Sequence, residues 1–193
     1  MRFVIMADGK GRRWDNYLGI PKHLAEINGE PVISRTVRLL NELTNGEVII
    51  TSHDERYEFK GSRRHEPVNN LLEIDRFTKE LIQNDMCFLY GDTYYTRQAL
   101  EKIINEKTDD MLFFGNRKSI VAVKIHQADI FRFHLERVRK MYTDGTLDKC
   151  KGWQVYQSFV GNDPGSPPEP GKKFVFLDEQ TNDINTPEEY ERI

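Results

Sequence analysis

Short apolar runs that alternate with stretches of helical periodicity constrain this chain more than any other feature. Residues 3–7 are apolar without a break, which suits a strand covered on both faces. Glu47–Thr51, Met86–Tyr90, Met111–Gly115 and Ile120–Ile125 read as further strands, with shorter ones at 24–27, 63–67 and 174–177. Val32, Ile33, Val37, Leu40 and Leu43 fall on one helical stripe that Pro31 opens and Asn45-Gly46 ends. Periodicity predicts helices at 69–83, 96–106 and 128–141 as well. Residues 161–171 are a loop by composition. Thr186, Pro187 and Glu189 have the pattern of an N-cap, a first helical position and a capping-box partner. Strand and helix alternate, so the expected fold is α/β with a mostly parallel sheet. The 193 residues show no repeat, low-complexity stretch or boundary, and are expected to form a single domain, 1–193.

The net charge of -3 gives no global electrostatic reason to bind nucleic acid, so a basic site has to be local. Cys87 and Cys150 fit no metal-binding spacing, and Cys87 reads as a buried thiol in a reducing compartment. No segment has the length of a membrane span or the form of a signal peptide. A cytoplasmic protein with no membrane insertion is expected.

Ligands of a parallel α/β sheet bind at the carboxyl ends of its strands. Two loops leave that rim here. The first begins at Asp8 and holds Gly9, Lys10, Gly11, Arg12, Arg13 and Lys22. Its glycines let backbone N–H groups approach phosphate oxygens, and its Arg and Lys side chains supply charge. It fits neither a P-loop nor a dinucleotide fingerprint, since Trp14 stands where a third glycine belongs. A solvated loop with turn glycines is the plain alternative. The second follows Met86–Tyr90 with Gly91-Asp92, where a carboxylate could hold Mg²⁺ or merely cap the next helix. Asp178, Asp183 and Asn185, before the last helix, could add a metal ligand or serve as turn residues.

Taken in order, these pieces resemble the nucleotidyltransferase family with a GT-A-like fold. That family includes sugar-phosphate and alcohol-phosphate nucleotidylyltransferases and molybdenum-cofactor guanylyltransferases. The matching residues are Met6 to Arg13, Pro21-Lys22-His23-Leu24, Gly29-Glu30-Pro31, Gly91-Asp92 and Asp183 to Glu189. The resemblance implies a three-layer Rossmann-like domain with a mixed, mostly parallel sheet. Residues 1–110 would bind the nucleotide and 111–193 the acceptor. Ala7, Asp8, Gly9, Lys10, Gly11 and Arg12 would line the nucleoside triphosphate. Arg13 would bind its β/γ phosphates, and Lys22 would stabilise charge at the reacting α-phosphate. Asp92 would hold Mg²⁺, with Asp183 or Asn185 as the second ligand. Asn69 and Asn70 resemble a stretch that lies near the base in cytidylyltransferases, although a helix N-cap explains them equally. Lys124, His126, Trp153 and Lys173 are acceptor-side candidates by residue type. The family usually has a small residue where Asp8 stands. A carboxylate there would repel the triphosphate unless it turned toward base, ribose or metal.

The implied reaction transfers an NMP from an NTP, with CTP or UTP favoured, to a small phosphate monoester. The chain could act as a homodimer. Two other readings stay open: a nucleotide-binding protein of this fold without turnover, and a GT-A glycosyltransferase that uses an NDP-sugar. The glycosyltransferase class favours a DxD motif, and this chain reads GDT at that place.

Overall fold

The computed structural model describes all of residues 1–193. Its strands are β1 (Arg2–Met6), β2 (Glu26–Ile27), β3 (Glu30–Pro31), β4 (Glu47–Thr51), β5 (Arg63–His65), β6 (Met86–Tyr90), β7 (Thr93–Tyr94), β8 (Met111–Gly115), β9 (Ile120–Ile125), β10 (Phe174–Phe176) and β11 (Asn182–Asp183). Its helices are α1 (Val32–Leu43), α2 (Arg97–Asn105), α3 (Ala128–Thr143), α4 (Gly152–Val160) and α5 (Pro187–Tyr190). Seven strands form one sheet in the order β10-β8-β9-β6-β1-β4-β5. All run parallel except β9, which lies antiparallel between β6 and β8.

Alternating side chains of each strand enter opposite cores. On β1, Phe3 and Ile5 join Ile33, Val37 and Leu40 of α1 and Leu100 and Ile103 of α2. Val4 and Met6 face the other way, toward Phe131, Leu135 and Val138 of α3 and Val155 and Tyr156 of α4. The result is three layers, helix on sheet on helix, as the family resemblance implies. No helix is long and apolar enough to cross a membrane.

Several local expectations change. Pro31 does not open α1 from within: it ends the β2–β3 hairpin, paired with Glu26, and caps a helix that starts at Val32. Asn28 and Gly29 make that hairpin with φ of 55° and 78°, the backbone a two-residue primed turn requires. The helix expected over 69–83 is absent. Two single turns, Glu73–Arg76 and Lys79–Leu81, replace it. The buried Asp75 carboxylate accepts from the Leu71 and Leu72 amides at 3.0 and 2.7 Å, closing a local turn that competes with helix. Helix α4 was not expected. Its burial runs nearly all round, through Gln154, Val155, Tyr156, Gln157 and Ser158, so its sequence lacks the polar face that marks an amphipathic helix.

Candidate nucleotide-binding site

The carboxyl ends of β1, β4 and β6 form one rim, and the loop after β1 is built on it. Trp14 anchors that loop. It is 2% exposed, donates from Nε1 to the Ile20 carbonyl at 2.7 Å, and packs with Ala25, Val32 and Ile184. Tyr17 and Tyr190 stand edge-on to its ring, and Tyr17 Oη donates to Glu191 at 2.7 Å. The C-terminal helix α5 therefore pins the loop. Its start follows the expected capping box: the Thr186 hydroxyl accepts from the Glu189 amide, and the Glu189 carboxylate accepts from the amides of Asn185 and Thr186.

Gly91 joins β6 to β1 at the rim. Its amide donates to the Met6 carbonyl at 3.0 Å, and a Cβ there would stand 2.7 Å from that same oxygen. Only glycine permits this approach, and it delivers Asp92 beside the loop. There Lys22 and Asp92 form a buried ion pair. Lys22 Nζ also donates to Asn185 Oδ1 at 3.3 Å, and Arg13 donates to the same oxygen at 2.8 Å. The Asn185 amide donates in turn to Asp183, whose other oxygen accepts from the Ser119 hydroxyl at 2.9 Å. A short antiparallel pair, β7 with β11, sets Asp183 opposite Thr93, and the Ile184 amide donates to the Asp92 carbonyl at 2.6 Å. Arg13, Lys22, Asp92, Asp183 and Asn185 thus share one hydrogen-bonded chain, although up to 172 residues separate its members. Burial works to raise the Asp92 carboxyl. The charges of Lys22, His23 and Arg76 outweigh it and hold the group below the usual carboxylate range.

A cleft of about 480 Å³ opens beside this chain. Lys10, Gly11, Arg12 and Arg13 line one side, with Lys22 and Asn185 at its floor. Asn70, Leu71, Leu72, Glu73, Arg76 and Lys151 line the rest. Gly9 lies against the Arg76 guanidinium, where an added Cβ would meet Cζ at 3.4 Å. Arg76 and Lys151 are residues that sequence reasoning missed: one lay within an expected helix, the other just ahead of an unexpected one.

Asp8 turns away from the cationic side of the loop. Its carboxylate pairs with His53 Nδ1 at 3.0 Å and accepts from Asn70 Nδ2 at 2.7 Å, and Asn70 also donates to the Asp8 carbonyl at 2.7 Å. The hydrogen bond to Asp8 is the main reason the His53 pKa is raised. Ala7 is buried at the strand end, and Asn69 is exposed, its side chain accepting from the Leu71 amide at 3.3 Å. The acceptor-side candidates of the second half stand elsewhere. Lys124 binds three carbonyls at the end of α2, of Ile103, Ile104 and Glu106. His126 pairs with Asp85 at 2.5 Å and Lys173 with Asp110 at 2.8 Å, while Trp153 stacks on Phe174. Lys124 and His126 fall at the amino end of β6, the rim opposite the cleft.

Known structures share this architecture. A CTP:phosphocholine cytidylyltransferase from Streptococcus pneumoniae superposes with a TM-score of 0.62 at 15% identity, covering 99% of this chain and 96% of that one. A nucleotidyl transferase from Methanothermobacter thermautotroptrophicus gives 0.69 at 19% identity, over 99% and 94%. The inositol-1-phosphate CTP transferase from T. maritima gives 0.59 at 12% identity, over 97% and 90%. At these identities the likeness is one of fold. No curated protein sequence matches significantly. The family model described as the MobA-like NTP transferase domain matches residues 3–113, more than half of the chain and the part that carries the loop, Lys22 and Asp92, and the protein belongs to that family.

Proposed function

We propose that the protein is a Mg²⁺-dependent nucleotidylyltransferase. It moves an NMP from an NTP, with CTP or UTP favoured, to a small phosphate monoester such as a sugar phosphate or alcohol phosphate, and releases pyrophosphate. The observation that carries this reading is the buried Lys22–Asp92 pair, tied through Asn185 to Arg13 at the floor of a cationic cleft. Membership of an NTP transferase family supports it, as do the neighbouring CTP:phosphocholine cytidylyltransferase and inositol-1-phosphate CTP transferase.

The backbone of Gly9 to Gly11 and the side chains of Lys10, Arg12 and Arg13 would receive the triphosphate. Lys22 is held at the cleft floor by two acceptors and would meet the charge that grows on the α-phosphate oxygens. The acceptor is an ionised phosphate, so no general base is required. Its oxygen attacks the α-phosphorus, the bond to the pyrophosphate oxygen breaks, and the charge passes to the leaving group. Asp92 and Asp183 are the carboxylates that would hold a hard cation, which takes one or two carboxylates and completes its shell with phosphate oxygens. Asn185 links them, its amide oxygen accepting from Lys22 and its amide nitrogen donating to Asp183. When bound, Mg²⁺ would neutralise phosphate charge beside Lys22. Asp8, engaged by His53 and Asn70, keeps its carboxylate off the phosphate side of the loop.

The test is thermal stabilisation by CTP, UTP, GTP and ATP, with and without Mg²⁺, for the wild type and Asp92→Asn. A ligand at 100 times its Kd stabilises the fold by about 2.7 kcal/mol, a readable melting shift. One NTP is expected to stabilise the wild type only with Mg²⁺, and to do so much less in the variant. Asp92→Asn should also slow pyrophosphate release on the order of 10²–10³-fold. No shift with any NTP, or a larger one with an NDP-sugar, would overturn the reading.

A further inference from the structure

The cations of the cleft come from two walls. Lys10, Arg12 and Arg13 belong to the glycine loop, while Arg76 comes from the turn before β6 and Lys151 from the residue ahead of α4. Arg76 is the less satisfied of that second pair. The two acids nearest it in sequence are already taken, Glu73 by Lys151 at 3.1 Å and Asp75 by Arg139, so its guanidinium has no carboxylate partner. It is half-buried and lies flat on Gly9, where the loop leaves β1 and runs past Asp92. Lys151 is fixed to the same place. The next residue, Gly152, packs so tightly on Tyr90 at the end of β6 that a Cβ there would come within 2.6 Å of the Tyr90 hydroxyl. Tyr90 precedes Asp92 by two residues. An unpaired arginine and a lysine that both line the cleft make a receptor for a second anion, beside the one the glycine loop receives.

We propose that Arg76 and Lys151 form the subsite for the acceptor's phosphate, and that it takes a phosphate monoester with a neutral, hydroxyl-bearing body rather than a cationic head group. The proposal rests on the transferase reading and adds to it the residues and the class of acceptor. A monoester brings about two negative charges at neutral pH. Arg76 meets it with an unpaired guanidinium, and Lys151 adds a second donor by exchanging Glu73 for the phosphate. Quaternary ammonium groups are recognised by aromatic cages. This cleft is lined by polar and charged side chains, with only Leu71 and Leu72 as apolar members and no aromatic ring.

The experiment is calorimetric titration with probes that need no base: inorganic tripolyphosphate with Mg²⁺ for the loop, and inorganic phosphate for the second subsite. In protein saturated with tripolyphosphate, Arg76→Ala should weaken phosphate binding tenfold or more and leave the tripolyphosphate Kd within threefold. Arg12→Ala should do the reverse, and Arg76→Lys should recover part of the phosphate affinity at an unchanged melting temperature. Glycerol 3-phosphate should bind at least fivefold tighter than phosphocholine. Unchanged phosphate binding in Arg76→Ala, equal loss of both probes, or phosphocholine binding as tight as glycerol 3-phosphate would each overturn the proposal. If tripolyphosphate fails to bind the wild type, the triphosphate cradle falls, while phosphate titration of the free protein still reads Arg76.

Discussion

His23 carries an imidazole that folding strips of water. It is 3% exposed, with Nδ1 2.9 Å from the Tyr57 hydroxyl. Burial pulls its pKa down to about 4; the Asp92 charge resists, and Lys22 and Arg76 add to the fall. In the unfolded chain the group titrates near 6.5. Between those values the unfolded state binds a proton that the folded state refuses, so stability drops as pH falls from about 6.5 to about 4, by up to about 3 kcal/mol in all. Urea unfolding at pH 7, 6 and 5 should show this slope in the wild type and lose it in His23→Gln, which can still meet Tyr57. Identical slopes would mean the imidazole takes up its proton without unfolding. At this scale residue types were legible in the sequence and their partners were not. Lys22 and Asp92 each stood out on their own, from a basic loop and from a strand end. That they form one buried pair follows only from strand order. Arg76 gave no signal, because a basic residue within an apparently amphipathic stretch is the usual solvent face of a helix.

Elements were readable where burial is two-sided. Glu47–Thr51, Met86–Tyr90, Met111–Gly115 and Ile120–Ile125 are strands with the bounds their apolar runs suggest. Periodicity failed where one polar side chain decides the backbone. Leu72, Ile74, Phe77, Leu81 and Ile82 keep helical spacing, yet the carboxylate of Asp75 closes a turn on the Leu71 and Leu72 amides. Asp75 is also ion-paired to Arg139 of α3, so this turn is tied to a helix on the sheet's outer face. Arg139 keeps water access, so removing the carboxylate costs mainly its ion pair and its two amide bonds, about 1–3 kcal/mol. Asp75→Ala should destabilise by that order in urea unfolding and loosen the wall that holds Asn70 and Arg76. A loss below 1 kcal/mol would show that the turn holds without its carboxylate. The β6 end makes a second case. Gly91→Ala sets a methyl against a backbone oxygen of β1, so the strands must part. We expect destabilisation of about 1–3 kcal/mol, as for other forced insertions into packed sites. The melting temperature reads that loss, and retained Mg²⁺–NTP stabilisation would show that Asp92 had not moved.

For the whole molecule, the question is whether residues 1–110 and residues 111–193 fold as one. The sheet argues that they do. β9, from the second half, pairs with β6, from the first, through Met86↔Ile125 to Leu89↔Ala122. One core mixes Val4, Ile49 and Phe88 with Phe131, Val155 and Phe174. The C-terminal segment then returns to the first loop, where Ile184 packs on Trp14 and Asn185 binds Arg13 and Lys22. Neither half could keep its apolar faces covered without the other, so the two are expected to unfold in one transition. The two tryptophans allow this to be measured. Trp14 reports the loop and the returning C-terminus, whereas Trp153 reports α4 and its stack on Phe174 in the second half. In Trp14→Phe and Trp153→Phe, the remaining indole should follow a urea transition that coincides with the far-ultraviolet circular dichroism of the same variant. Coincidence in both variants would establish a single cooperative unit over 1–193. A Trp153 transition displaced from the dichroism would mean instead that residues 111–193 open by themselves, apart from the rest of the sheet.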